Sequence, residues 1–378
     1  MTGSIDDGLI DFGNGQPSLS LLPVEMLRTA TEHFLRAGDA TLLQYGADQG
    51  DASFRDMLAA FLSRRYRGPI DASELMISGS ASHALDLVCA RCTQPGDTIF
   101  VEEPTYFLAL HVFRDHGLHV VGIPIDEHGI RIDALRDALR QHRPALLYTI
   151  PSFQNPSGTT MSAERRAQLV EVSQAHDLLI VADEVYHLLD FDTPPPPPLA
   201  MHVSSARIVS LGSFSKICAP GLRLGWIHGA TPMLQTLMRA GVVQSGGGFN
   251  PFVSGIMRSM IELGLADTCL DGLRRVYAER TASLCAALRT EFANAHFVEP
   301  HGGYFVWLRL PARTDASRLR PEATRHGVSY HAGSRFVGGD GFSDYVRLSF
   351  AHYEPPTLAE GVRRLAHVAA RFAVDRHR

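Results

Sequence analysis

Between about residues 40 and 230 the chain repeatedly exchanges one hydrophobic rhythm for another, and this alternation limits the fold more than any other feature. Asp97–Glu102, Ala145–Ile150, Leu178–Ala182 and Ile208–Leu211 are apolar runs of strand length. Ala163–Ala175, between the second and third, carries its apolar residues at helical spacing instead. Strands that alternate with helices, and that are apolar on both sides, predict a mostly parallel sheet covered by helices on both faces. The expected class is α/β, with a three-layer α-β-α large domain over residues 39–260. Residues 1–38 read as an N-terminal arm with a first helix over Leu22–Ala37. Helical segments from about 232 to 295, followed by strand-like Gly303–Leu310 and Tyr345–Phe350, predict a smaller C-terminal α/β domain over 261–378.

Charge narrows the partners. The 35 basic and 40 acidic residues give a net charge of −5, and no long basic run is present, which argues against nucleic acid and anionic membranes. The N-terminus is acidic and has no apolar h-region, and no run has the length needed to span a bilayer. The expected location is therefore cytoplasmic. The five cysteines are too scattered for a disulfide scaffold. Cys89 and Cys92 fall inside the helix-like run ALDLVCARC, so they are expected to be buried core thiols rather than a redox or zinc pair, and no metal site is expected. Thr193–Pro198 reads as a stiff surface turn. The glycine-rich Gln244–Phe252 reads as either a mobile gate or a flexible connector.

One count bears directly on chemistry. Of the 35 basic residues, only Lys216 is a lysine. A coding bias towards arginine accounts for the scarcity, but it leaves the exception informative. Arginine replaces lysine on a surface, whereas its guanidinium stays protonated and does not form imines. A single retained lysine is therefore a candidate for a site that needs a primary amine.

Its neighbours strengthen that reading. In open α/β sheets, ligands bind beyond the carboxyl ends of the strands, and several polar residues of this chain fall at such places. Ser80, Ala81 and Ser82 open a helix after apolar Leu75–Ile77, Asn155 follows Ala145–Ile150, Asp183 follows Leu178–Ala182, and Lys216 follows Ile208–Leu211. A helix start offers backbone N–H groups to a phosphate, although serine there is also an ordinary cap. Asp183 alone could likewise be a cap, and Asn-Pro-Ser-Gly an ordinary turn. The segment SFSKICAPGLRLGW is more distinctive: it gathers Ser213, Ser215, Lys216 and Arg223 around a structure-breaking Ala-Pro-Gly.

Taken together and in order, Tyr45-Gly46, SGSASHALDL, EEPTY, QNPSG, DEVY, SFSK–LRLGW, GGYFVW and YVRLSF resemble the class I/II aminotransferases, which are fold-type I pyridoxal-phosphate enzymes. The resemblance runs from FGNGQP near residue 12 to YVRLSF near residue 350. It implies that Lys216 holds pyridoxal phosphate as a Schiff base and then serves as the acid–base group. It implies that Asp183 pairs with the pyridine nitrogen, that Asn155 and Tyr186 hydrogen-bond the ring's 3-oxygen, and that Tyr106 stacks on the ring. Ser80, Ala81, Ser82, Ser213 and Arg223 would hold the phosphate. Tyr45 would reach the phosphate of a neighbouring subunit, which implies a homodimer with shared active sites. Arg347 would clamp the substrate α-carboxylate, and Gly15 would let the arm approach the substrate.

The expected reaction is ping-pong transfer of an amino group between an α-amino acid and an α-keto acid. Pro17–Pro23 contains no arginine to accept an acidic side chain, so neutral or apolar amino acids are the expected donors. A β-eliminating C–S lyase of the same fold is the alternative. A regulator that joins this fold to a helix-turn-helix is disfavoured by the absence of a preceding segment. A nicotinamide dehydrogenase is disfavoured because no G-x-G-x-x-G opens the sheet.

Overall fold

The computed structural model describes residues 8–292, 296–311 and 314–375. Residues 1–7 of the expected arm and the last three residues of the expected small domain lie outside them. The arm begins with β1 (Ile10–Asp11), and the first long helix spans Val24–Arg36.

Eight strands form the main sheet: β2 (Leu75–Ser78), β3 (Thr98–Glu103), β4 (His119–Asp126), β5 (Gly129–Ile130), β6 (Leu146–Thr149), β7 (Leu179–Asp183), β8 (Ile208–Ser213) and β9 (Gly225–Gly229). Their order is β2-β9-β8-β7-β6-β3-β4-β5. The pairings β8-β7, β7-β6, β6-β3 and β3-β4 are parallel, while β9 and β5 run antiparallel to their neighbours.

The central strands are buried at every position, and alternate side chains join two different cores, which generates the three layers. Ile99, Val101, Leu146, Tyr148, Leu179, Val181, Val209 and Leu211 face one core, with helices Ala52–Tyr66 and Ala81–Cys92. Phe100, Leu147, Ile180, Ala182 and Ile208 face the other, with helices Ile132–Gln141 and Ala163–His176. Successive side chains of a strand point to opposite faces, so an apolar residue at every position requires cover on both.

Beyond residue 264 the helix Leu265–Glu291 packs with the C-terminal helix Pro355–Asp375, next to an antiparallel sheet of three strands. These are β10 (Phe305–Arg309), β12 (His331–Ala332) and β13 (Tyr345–Ser349), in the order β10-β13-β12. The remaining strand, β11 (Val328–Ser329), pairs in parallel with β1, Ile10 opposite Val328. The N-terminal arm is thereby stitched to the C-terminal part and runs across the carboxyl ends of the main strands.

Two local expectations are refined. Cys89 is buried but Cys92 is only half-buried, because Cys92 closes its helix and its thiol faces the Met233 sulfur. The glycine-rich stretch is tied down at one point. It ends the helix Gly241–Gly246 and bridges to Gly46 through Gly247 and Gly248. Among the described residues, no helix is long and apolar enough to cross a membrane.

Candidate active site

The carboxyl ends of β6, β7 and β8 converge on a cavity of ≈ 190 Å³ lined by Ser80, Ala81, Ser82, Tyr106, Asn155, Asp183, Tyr186, Ser213, Lys216 and Arg223, among others. All ten were singled out in the sequence. A larger cavity of ≈ 480 Å³ lies against Arg64–Arg67 and Leu188, but its arginines are mostly engaged by Asp190, Asp267 and Asp271. Chemistry, not size, separates the two.

Lys216 stands in the short helix Phe214–Ile217, which directly follows β8 and is capped by the Ser213 hydroxyl accepting from the Ser215 amide at 3.1 Å. The Tyr304 hydroxyl donates to the Lys216 carbonyl at 3.1 Å and pins this turn. The Lys216 ammonium donates to the Gly15 carbonyl at 3.1 Å and lies 5.1 Å from the Tyr304 ring centroid. Burial, reinforced by the positive charges of Arg347 and Arg223 and opposed by Asp183, lowers its pKa to about 8. The amine lines an open cavity and keeps some contact with solvent.

Asp183 is the last residue of β7 and is buried. Its Oδ2 accepts from the buried Tyr148 hydroxyl at 2.7 Å, whereas Oδ1 has no partner. Burial raises the pKa of this carboxyl, against the pull of Tyr148 and Lys216. An orphaned carboxylate oxygen is costly unless a ligand supplies the missing donor. Tyr148 lies one strand away and escaped the sequence reading, because a tyrosine inside an apolar run reads as packing.

The loop that carries Asn155 is held by a second buried carboxylate. Glu102, near the end of β3, accepts from the Thr149 hydroxyl, the Ile150 amide and the Gln154 side chain. Asn155 Oδ1 in turn accepts from Arg347 Nη1 at 3.0 Å, and Arg347 Nη2 donates to the Gly13 carbonyl at 2.9 Å. Arg347 sits 4.0 Å from the Phe305 ring and 5.2 Å from that of Phe336. Burial lowers its pKa to about 10, which still leaves it charged near neutrality, and its Nε is unpartnered.

At the opposite end, the Ser80 hydroxyl accepts from the His83 amide at 3.0 Å and caps the helix Ala81–Cys92. The amides of the first helical turn have no partners within the helix. Burial raises the pKa of Tyr106 to about 12 and that of Tyr186 further still, so both remain neutral phenols. Gly15 meets the site from the arm: a Cβ there would lie 3.2 Å from the Phe305 ring. Gly15 and Arg347 border the lysine rather than line the cavity. Tyr45 is not gathered in at all, lying 85% exposed on the surface.

The donor set fits pyridoxal phosphate. A primary amine lies between a carboxylate that lacks a donor, suited to a protonated ring nitrogen, and a helix start with serines and Arg223, suited to a phosphate. Among the described residues, no group of histidines, cysteines or carboxylates is placed to hold a metal.

Comparison with known proteins agrees with this fit. The sequence pattern of the family described as "Aminotransferase class I and II" matches residues 7–365. Aromatic-amino-acid aminotransferase 1 of Thermococcus litoralis is 33% identical over 365 residues, covering 95% of this chain and 87% of that protein. The multiple substrate aminotransferase of Thermococcus profundus superposes with a TM-score of 0.92 at 31% identity, over 98% of this chain and 93% of that one. LysN, the alpha-aminoadipate aminotransferase of Thermus thermophilus, was solved in complex with N-(5'-phosphopyridoxyl)-L-leucine. It superposes with a TM-score of 0.88 at 30% identity, over 97% and 93% of the two chains. The chain therefore belongs to the class I and II aminotransferase family and is a pyridoxal-phosphate-dependent aminotransferase.

Proposed function

We propose that this enzyme moves an amino group from a neutral, apolar or aromatic α-amino acid to an α-keto acid in two half-reactions that share one site. The observation that carries this reading is the surround of Arg347. A buried guanidinium, held by Asn155 and the Gly13 carbonyl and otherwise paired with no carboxylate among the described residues, is walled by Phe305 and Phe336, with Phe107 5.9 Å away. Such walls favour apolar substrate groups over charged ones.

When bound, pyridoxal phosphate supplies an electron sink that stabilises negative charge at the substrate Cα. In this reading Lys216 Nζ holds the cofactor. The same Nζ would move the proton at the substrate Cα, a task for which an amine with a lowered pKa is suited. Asp183 Oδ1 holds the proton on the pyridine nitrogen, and Tyr148 fixes the carboxylate for that role. Asn155 and Tyr186 donate to the ring's 3-oxygen, and Tyr106 covers the ring. Ser80, Ala81, Ser82, Ser213 and Arg223 hold the phosphate. Arg347 receives the α-carboxylate in bidentate fashion. Tyr45 extends from each subunit to the phosphate of its partner in a homodimer.

A second reading, a donor with a distal carboxylate, has one observation in its favour. The Arg335 guanidinium lies 4.5 Å from the Phe107 ring, and its hydrogen-bond partner is the neutral imidazole of His331 rather than a carboxylate.

The test is the visible absorbance of the purified holoenzyme with a panel of amino acids. Leucine, methionine and aromatic donors should bleach the cofactor band, and α-keto acids should restore it. Far better turnover of glutamate-type donors would overturn the proposal in favour of the second reading. Pyruvate and ammonia released from a cysteine-type donor without any keto acid would instead indicate a β-eliminating lyase.

A further inference from the structure

Arg223 follows the turn Pro220–Leu222 in a left-handed backbone conformation, φ 48° and ψ 49°. Asn250 is left-handed as well, φ 52° and ψ 48°. For residues with a Cβ this conformation is disfavoured; asparagine tolerates it better than arginine, although Asn250 also precedes Pro251. The two are joined: the Asn250 side-chain amide donates to the Arg223 carbonyl.

Asn250 occupies the N-cap position of the helix Pro251–Glu262, where an asparagine ordinarily accepts from the first-turn amides. Here its side chain makes no capping bond. Backbone conformation alone would be met more cheaply by glycine, and capping alone would need the carbonyl end of the amide turned the other way. What asparagine adds at this position is the donor to Arg223.

The bracket behind Asn250 is firmly set. Gln244 donates to Asp48 at 2.9 Å, and Gly247 and Gly248 bridge to Gly46. A Cβ on Gly247 would fall 2.1 Å from the Gly46 carbonyl oxygen, and one on Gly248 would fall 2.2 Å from that of Ala47. Gly247 and Gly248 thus permit a backbone contact that no larger residue allows. They anchor the loop that presents Asn250 to Arg223.

We propose that Asn250 is a positioning residue: its amide holds the Arg223 backbone in the left-handed turn that directs the guanidinium to the phosphate end of the cavity. This rests on the reading of Arg223 as a phosphate-binding residue. The energetic logic is that of preorganisation. An arginine held before the anion arrives loses less freedom on binding, so the removal of its tether weakens binding of the phosphate group selectively.

The experiment compares the affinity of the apoenzyme for pyridoxal phosphate with its affinity for pyridoxal, which lacks the phosphate. The comparison is made in the wild-type chain, Asn250→Gly and Arg223→Gln. Glycine keeps the left-handed backbone and removes only the amide, and circular dichroism checks that each variant is folded. Asn250→Gly should bind pyridoxal phosphate about tenfold more weakly while binding pyridoxal as the wild type does. The phosphorus resonance of the bound cofactor should also shift towards that of Arg223→Gln. Equal weakening towards both ligands, or no weakening, overturns the role of Asn250. If Arg223→Gln itself leaves the preference for the phosphorylated ligand intact, the phosphate reading of Arg223 fails instead. Should Asn250→Gly not fold, Asn250→Ala, which removes the donor without adding a charge, carries the same comparison.

Discussion

Lys216 is the only ε-amine in 378 residues, and its surroundings make it reactive near neutrality. An exposed lysine is almost wholly charged at pH 7, and a charged amine is no nucleophile. Burial and two nearby guanidinium groups disfavour the charge and bring the pKa to about 8. The sign follows directly. Below that value the neutral fraction, and with it the rate at which the apoenzyme captures pyridoxal phosphate, should rise about tenfold per pH unit. Above about pH 8 it should level off. Stopped-flow absorbance across pH 6 to 10 reads this on the holo-forming band, and Lys216→Ala should lack the phase altogether. A rate still climbing at pH 10 would mean that the amine is unshifted. Lys216, Asp183, Asn155 and Arg347 could be picked out from sequence because each is a polar residue at the end of, or within, an apolar run. Tyr148 and Asn250 could not. Their significance lies in single bonds to Asp183 and Arg223, partners that no periodicity connects to them.

At the scale of elements, the site depends on loops being fixed where parallel strands end. Glu102 performs this where β3 meets β6. One buried carboxylate gathers three donors, all belonging to Thr149, Ile150 and Gln154 just ahead of Asn155. Burial raises its pKa while those donors lower it. Glu102→Ala would strand a hydroxyl, an amide and a side-chain nitrogen in the interior. The expected loss is about 2–4 kcal/mol of stability, read as a lower urea midpoint, with weaker donor binding as the Asn155 loop loosens. A change under about 0.5 kcal/mol would show that water replaces the carboxylate. The same physics explains which strands were legible. β6, β7 and β8 are apolar at consecutive positions because both faces are covered, and they stood out as runs. β4, near the sheet edge, is mostly half-exposed and contains Gly122 and Pro124, so its pattern is broken. β9 contains Gly225 and Gly229, and Gly212 of β8 gives room to the Trp226 indole. Its reversed direction could not be read from hydrophobicity, since a buried strand has the same composition whichever way it runs.

At the scale of the whole molecule, the feature left unexplained by one chain is Tyr45. It is 85% exposed, and Leu43, two residues earlier, is 69% exposed. Its backbone is nonetheless held by the bridges from Gly46 to Gly247 and Gly248. A rigidly presented aromatic residue in an apolar surrounding fits an interface between copies. If Tyr45 serves the partner's phosphate, two defective chains should repair each other. Lys216→Ala has no amine but an intact Tyr45, and Tyr45→Phe has the amine but offers no hydroxyl. In a two-fold dimer that contains one of each, the Tyr45→Phe subunit keeps its own Lys216 and receives Tyr45 from its neighbour. Random reassociation of equal amounts makes half the dimers mixed, with one complete site in each, so roughly one quarter of all sites become native. Activity measured at a cofactor concentration too low to fill the Tyr45→Phe homodimer should therefore recover to about that fraction of wild type. If Tyr45 acts within its own subunit, the mixture performs no better than its parents. The same outcome follows if the chains do not pair, and sedimentation of the wild-type protein distinguishes these two cases.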